Sequence, residues 1–156
     1  MMILIIVQLS LKKEKKNNAF YVVSIGQNKY KINSSNNATI HAEEDAINKL
    51  PPIKRSNRLE DVNLVVIRTT KTGILGNSAP CVHCLKYMKD NAVARGYRIK
   101  KIYFTNIYGE IECHNLNSLI ASNNLHISAY YKVRNYNMKK WFKWRAMILK
   151  TMSEIY

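Results

Sequence analysis

A chain of 156 residues is the size of one ordinary domain and can bury about two-thirds of its unfolded surface, so a single core over 1–156 is expected. Hydrophobic residues at 47% and charged residues at 22% exclude the disordered, collagen-like and fibrous classes. Lys+Arg number 25 against 10 Asp+Glu, a net +15 that favours phosphate-bearing partners; AT-rich coding enriches Lys, Asn, Ile and Tyr as well, so charge alone does not assign the partner.

The N-terminal run Met1-Met2-Ile3-Leu4-Ile5-Ile6-Val7-Gln8-Leu9 has no basic region before it and no small-residue cleavage site after it, and it is too short to span a bilayer. Residues 3–16 read as a first helix with Lys12, Lys13, Lys15 and Lys16 at its dipole-negative end; a strand competes for the first half. Phe20–Ile25 and Lys29–Ile32 flank Gly26-Gln27-Asn28 and read as a hairpin, with a polar loop over Asn33–Asn37. Ala42, Ala46, Ile47 and Leu50 recur at helical spacing, which predicts a helix over Thr39–Leu50 with Thr39 as cap and Pro51-Pro52 as stop.

Val62–Arg68 is rich in β-branched residues and nearly continuous, as a central strand covered on both faces would be. A loop over Thr69–Ala79 leads to Pro80, then a helix over Cys81–Arg95 with Gly96 just past its end. Ile99–Thr105 is another strand, Tyr108-Gly109-Glu110 a tight turn into a short strand ending near Cys113, and Leu125–Tyr131 a later strand candidate. The segment Met138–Tyr156 places Trp141, Trp144, Ile148 and Met152 at spacings of three and four among Lys139, Lys140, Lys143, Arg145 and Lys150, a basic amphipathic helix at about 137–156. No repeat, Gly/Ser linker or break in composition marks a domain boundary, and one alternating α/β unit accounts for the pattern.

Three cysteines, two of them in Cys81-x-x-Cys84, suit a metal better than a disulfide framework and point to a reducing, intracellular setting, cytoplasm or nucleus. Catalytic zinc takes three protein ligands and keeps a fourth position for water. Cys81 and Cys84 stand three apart, on one face of a helical turn, near an N-terminus that favours thiolate; His41 lies likewise near the start of its own helix. Glu43, beside the first ligand yet not needed to complete the tetrahedron, is a spare carboxylate suited to proton transfer. His83 is offset from the face that the two cysteines share and reads as a rim or solvent residue; His114, His126 and Cys113 read as packing or surface groups.

His41-Ala42-Glu43 followed by Pro80-Cys81-Val82-His83-Cys84 resembles the signature of the cytidine deaminase-like superfamily, over a core from about Phe20 to Tyr131. The resemblance implies a three-layer α/β/α fold, with a central mixed five-stranded sheet of cytidine deaminase type and helices on both faces. It implies Zn2+ on His41, Cys81 and Cys84, with Glu43 carrying protons to ring nitrogen N3 and to the departing amine as cytosine becomes uracil. A family asparagine before the His-x-Glu motif contacts substrate; Asn33, Asn36 and Asn37 stand in that loop, and Asn33 is taken for it, with Ser78 and Ala79 as further contacts.

The partner expected is a cytosine-containing nucleotide or single-stranded nucleic acid, not a membrane, with room for a homo-oligomer. The Pro-Cys-Val-His-Cys run is similar to the tRNA adenosine deaminase version, whereas a strand turning straight back at Tyr108-Gly109-Glu110 is the cytidine arrangement and favours cytosine. An adenosine deaminase acting on RNA, and a catalytically silent zinc-stabilised nucleic-acid-binding module, are the alternatives. The basic, aromatic tail can be read as a strand-binding surface, or as a helix that packs its tryptophans and exposes its lysines.

Overall fold

The computed structural model describes residues 2–10, 20–30, 39–53, 58–122, 126–128, 132 and 138–154. In chain order the strands are β1 (Met2–Ser10), β2 (Phe20–Gln27), β3 (Lys29–Tyr30), β4 (Thr39–Ile40), β5 (Glu60–Thr69), β6 (Leu75–Gly76), β7 (Tyr97–Thr105) and β8 (Ile111–Asn115). The helices are α1 (Ala42–Lys49), α2 (Val82–Ala94), α3 (Leu116–Ala121) and α4 (Met138–Ser153). The main sheet runs β2-β1-β5-β7-β8, and β6 pairs onto β5.

β5 is central, as its β-branched run suggested: it pairs antiparallel with β1 and parallel with β7. A parallel pair needs a crossover, and α2 supplies it between β5 and β7. The sheet is therefore mixed and the class α/β. Six strands share it, not the five expected, because Leu75 and Gly76 of the anticipated loop pair back onto Thr69 and Arg68.

Burial alternates along β5, with Val62, Leu64 and Val66 buried and Asp61, Asn63, Val65 and Ile67 partly exposed. That period of two marks one covered face rather than the two that the continuous apolar run suggested. Each of these four helices adds side chains to the same buried cluster, among them Ala46 and Ile47 of α1, Val82, Leu85 and Met88 of α2, Ile120 of α3 and Trp141 of α4. Helices on both faces are thus not found among the described residues. The reason lies at the N-terminus, where residues expected to start a helix form β1, hydrogen-bonded on both edges; an unbroken apolar run carries no period that separates the two states.

Three other boundaries differ from expectation. β2 does not fold back onto β3: it pairs with β1, and β3 pairs with β4. Thr39 is therefore part of a strand and not a cap, and α1 starts after His41. The helix α3, with Asn115 before it, carries no pattern long enough to have been read in advance. The loop Asn33–Asn37 lies outside the described residues, as do Leu125 and residues 129–131 of the later strand candidate; within it, His126 makes one parallel bridge, to Cys81.

The helix ends follow local chemistry. Glu43, Glu44 and Asp45 fill the first turn of α1, where the dipole favours acids, and Leu50 leaves helical geometry at φ −57°, ψ 128°, as a residue before Pro51 must. α2 ends at Ala94 with Arg95 as its cap, and Gly96 follows with a φ of 91° that suits glycine after a helix. In α4, Trp141 is fully buried and Trp144 nearly so, their rings 4.9 Å apart, while Lys139, Lys140 and Lys143 are exposed. Trp144 Nε1 donates to Asp90 of α2 at 3.2 Å, and Arg145 Nε donates to the Ile120 carbonyl of α3 at 2.8 Å. The two tryptophans of the tail are packing groups, whereas Phe142 is exposed. Among the described residues no helix is long and apolar enough to cross a membrane.

Candidate metal centre

His41 and Cys81 occupy equivalent places, each in extended geometry as the residue before a helix, at φ −72°, ψ 154° and φ −80°, ψ 164°. Neither helix has a side-chain cap. The side chain that would usually cap is instead free for another task.

The start of α1 is fastened to the end of β2. Asn28 Oδ1 accepts from the Ala42 amide at 2.9 Å, Ser24 Oγ donates to the Ala46 carbonyl at 2.6 Å, and Lys49 Nζ donates to the Ile25 carbonyl at 3.0 Å. Asp45, buried, accepts from the Gln27 amide at 3.0 Å and from Lys29 and Lys49 at 2.7 Å each. Burial works against its charge, yet the hydrogen bonds from Lys29, Lys49 and Gln27 together hold its carboxyl below the usual value.

Asp45→Asn should cost about 1–2 kcal/mol at neutral pH through the lost charged hydrogen bonds. A depressed folded pKa gives stability that is complete above the unfolded value of about 3.9 and disappears as pH falls through the folded one. Urea unfolding of the two proteins from pH 7 to pH 3 should therefore show a gap that narrows with acidity; a constant gap would count against the assignment.

The start of α2 is held from two sides. Ser78 is buried, its Oγ donating to the Val66 carbonyl and accepting from the Thr105 amide, both at 2.8 Å, and its own amide donates to the Thr105 carbonyl at 2.8 Å. Downstream, the Val82 amide donates to the His126 carbonyl at 2.9 Å. Pro80 lies before Cys81, one step outside the helix.

These constraints bring His41, Cys81 and Cys84 together. His41 Nδ1 lies 3.2 Å from Cys84 Sγ and 3.6 Å from Cys81 Sγ, and the two sulfurs are 3.6 Å apart. Tetrahedral zinc with its usual bond lengths would set sulfur pairs about 3.8 Å apart and nitrogen–sulfur pairs about 3.6 Å apart. The donor triangle is thus within a few tenths of an ångström of what the ion needs, and the N/S₂ set suits zinc among divalent metals. Both cysteines are buried and neither is in a disulfide.

Protonation follows the same geometry. The Cys81 thiol is pushed well down, first by its hydrogen bond with Cys84 and then, against burial, by His41. Cys84 is pushed well up by burial and by the Cys81 charge. The His41 ring is raised by its hydrogen bond to Cys81, with burial opposing. A metal that needs deprotonated ligands would displace those protons.

Glu43 is 6% exposed, in the first turn of α1, and its carboxyl interacts with Cys84. Burial, with the Cys81 charge, pushes it up to about 7. His83 is half-buried between the cysteines in sequence, its ring edge-on to His41 at 6.5 Å and its Nε2 3.7 Å from Glu44. It therefore borders the cluster without joining the three donors.

Of the expected substrate contacts, Asn33 lies outside the described residues, and the Ser78 hydroxyl is engaged with Val66 and Thr105. Ala79 is half-buried and lines a cavity of about 380 Å³ beside the metal helix. Asn28 and Asp45, which hold α1 in place, went unread, since a hydrogen bond to a helix start from a distant strand leaves no spacing in the sequence. Searches of protein-family models, curated proteins and solved structures gave no match.

One zinc per chain is expected on equilibration with the ion, by metal analysis after gel filtration, and Cys84→Ser should lower the affinity by at least about a hundredfold because a neutral hydroxyl replaces a thiolate. Retention of full stoichiometry and affinity in Cys84→Ser would show that the ion sits elsewhere.

Proposed function

We propose that this chain is a zinc-dependent hydrolytic deaminase of the cytidine deaminase-like superfamily, converting cytosine in a nucleotide or nucleic acid to uracil with release of ammonia. The observation that carries the reading is a buried carboxyl, Glu43, in contact with a three-donor cluster that it does not need to complete. A structural zinc site, complete with its ligands, does not call for a further carboxyl buried against them.

Zinc, when held by His41, Cys81 and Cys84, supplies an acidified water and a Lewis acid. The net reaction adds water and loses ammonia, so one proton must reach ring nitrogen N3 and another the exocyclic amine. We assign both transfers to Glu43, since it is the carboxyl buried against the donor cluster and not needed to complete it. The buried surroundings of the cluster exclude bulk water from the competing proton traffic.

Cytosine is preferred to adenine on the topology of the last strands. β8 turns straight back antiparallel to β7 across Gly109, at φ 81°, which is the arrangement that the resemblance ties to cytidine deaminases. A mixed sheet of α/β class, with a parallel β5–β7 pair, fits the same reading, and β6 is an addition on β5.

The test is a panel of cytidine, deoxycytidine, their monophosphates, adenosine, and single-stranded DNA and RNA, incubated with zinc-loaded protein and assayed for ammonia and for uracil or inosine. Uracil from at least one cytosine substrate is expected. Ammonia from none of them would remove the enzymatic reading.

A further inference from the structure

The cavity beside α2 has a chemistry of its own. Its floor is apolar, from Leu85, Leu119 and Phe104, and one wall is a stack of Phe104 on His114, ring centroids 5.5 Å apart and 17° from parallel. Glu112 lines it too, paired with His114 Nε2 at 2.9 Å and with Asn106 Nδ2 at 3.1 Å. The Asn106 side-chain oxygen Oδ1 accepts from the Tyr108 and Glu110 amides, so the acceptor wall is fixed by the hairpin itself. At the mouth stand Ile107 and Tyr108, 72% and 81% exposed, large apolar groups on a tight turn where packing does not require them.

What is missing is equally informative. The chain carries 25 Lys+Arg, and none of the described residues lining this cavity is one of them. A phosphate or carboxylate would find no Lys or Arg on the described lining, and would meet Glu112, whose carboxyl the hydrogen bonds of His114 and then Asn106 hold below its usual value. A neutral ring with donor groups on its edge meets an aromatic face, an apolar floor and a fixed acceptor. A volume of about 380 Å³ lies at the small end of ligand sites and suits a nucleobase or nucleoside.

The geometry points to a second binding site here, taking a planar, uncharged, amine-bearing heteroaromatic ring of nucleobase size, stacked against the Phe104–His114 wall with its amine toward Glu112. The site is separate from the metal donors, none of which lines it, although Ala79 and Pro80 belong to both the cavity wall and the approach to Cys81. It stands on the lining chemistry and does not require turnover at the metal. Its ligand has two sources: a free nucleoside, or one base of a single strand whose phosphates stay outside in the basic surroundings.

The experiment follows the amide and side-chain resonances of Ile107, Tyr108 and His114 in the zinc-loaded full chain during titration with cytidine, adenosine and uridine, and with single-stranded pentanucleotides. Cytidine or adenosine should perturb these signals with affinity at least about fivefold above uridine, which lacks the amine, and Glu112→Gln should weaken them about tenfold by removing a charged acceptor. Tyr108→Ala, in the exposed turn, should weaken stacking about fivefold or more without risk to the fold.

Perturbation by nucleosides supports a free ligand, and perturbation by pentanucleotides alone supports a strand. Absence of both, or binding that ignores the Glu112 and Tyr108 substitutions alike, overturns the site. Resonances of His41 and Glu43 read the metal centre separately, so a protein that releases no ammonia can still pass this test, and an active one can fail it.

Discussion

Replacement of Glu43 by alanine is expected to lower the rate of ammonia release by about two to four orders of magnitude, the range for loss of a positioned proton carrier. Zinc stoichiometry should be unchanged, because the donor triangle is complete without this side chain. Thermal stability should hold or rise slightly, since an acid with 6% exposure, its carboxyl pushed up by burial, is removed from the interior. This combination separates an enzyme from a zinc-stabilised module. If wild-type and variant release ammonia at the same rate, Glu43 is not the proton carrier, whatever the metal content.

The second large effect is expected from a residue that takes no part in the chemistry. An added Cβ on Gly26 would lie 2.1 Å from the Ala42 carbonyl oxygen, 2.4 Å from the Ala46 nitrogen and 2.8 Å from the Ala46 Cβ. Two of those atoms are helix backbone and cannot swing aside, so α1 must lift from β2. Gly26→Ala should cost about 3 kcal/mol or more, at the upper end of overpacking effects, as read by urea unfolding. Because His41 directly precedes α1, the same substitution should weaken zinc binding while leaving every donor in place. Unaltered stability would mean that α1 and β2 approach less closely than described.

That glycine also explains one misreading of the sequence. Gly26-Gln27-Asn28 looks like a turn, but β2 runs through Gly26 and Gln27, and the missing side chain serves a close helix approach. Turn and contact glycines are identical in one dimension. The N-terminal strand was obscured for a different reason, since an apolar run without alternation fits helix and strand equally. Thr39 offered a plausible cap, and only its pairing with Tyr30 of β3 reveals it as part of β4.

By contrast, α2 was legible because Pro80 and Gly96 bracket it and its interior is continuous. β5, β7 and β8 were legible from β-branched content and from the Gly109 turn. The two cysteines could be read because their spacing is set by the first turn of one helix, a local property. The cavity beside α2 could not, because Asn106, Glu112, His114 and Leu119 come from a loop, a strand and a helix, with no interval that repeats.

His41 and Cys81 stand at the thresholds of two different helices, and this has a thermodynamic consequence. Any ion that bridges them is bound by the folded chain and released by the unfolded one, so mass action couples occupancy to folding. Above the dissociation constant, each tenfold rise in free zinc adds about 1.4 kcal/mol to the unfolding free energy. With such an ion bound, the melting point would be no fixed property of the sequence, but a gauge of how much of the ion the surroundings supply.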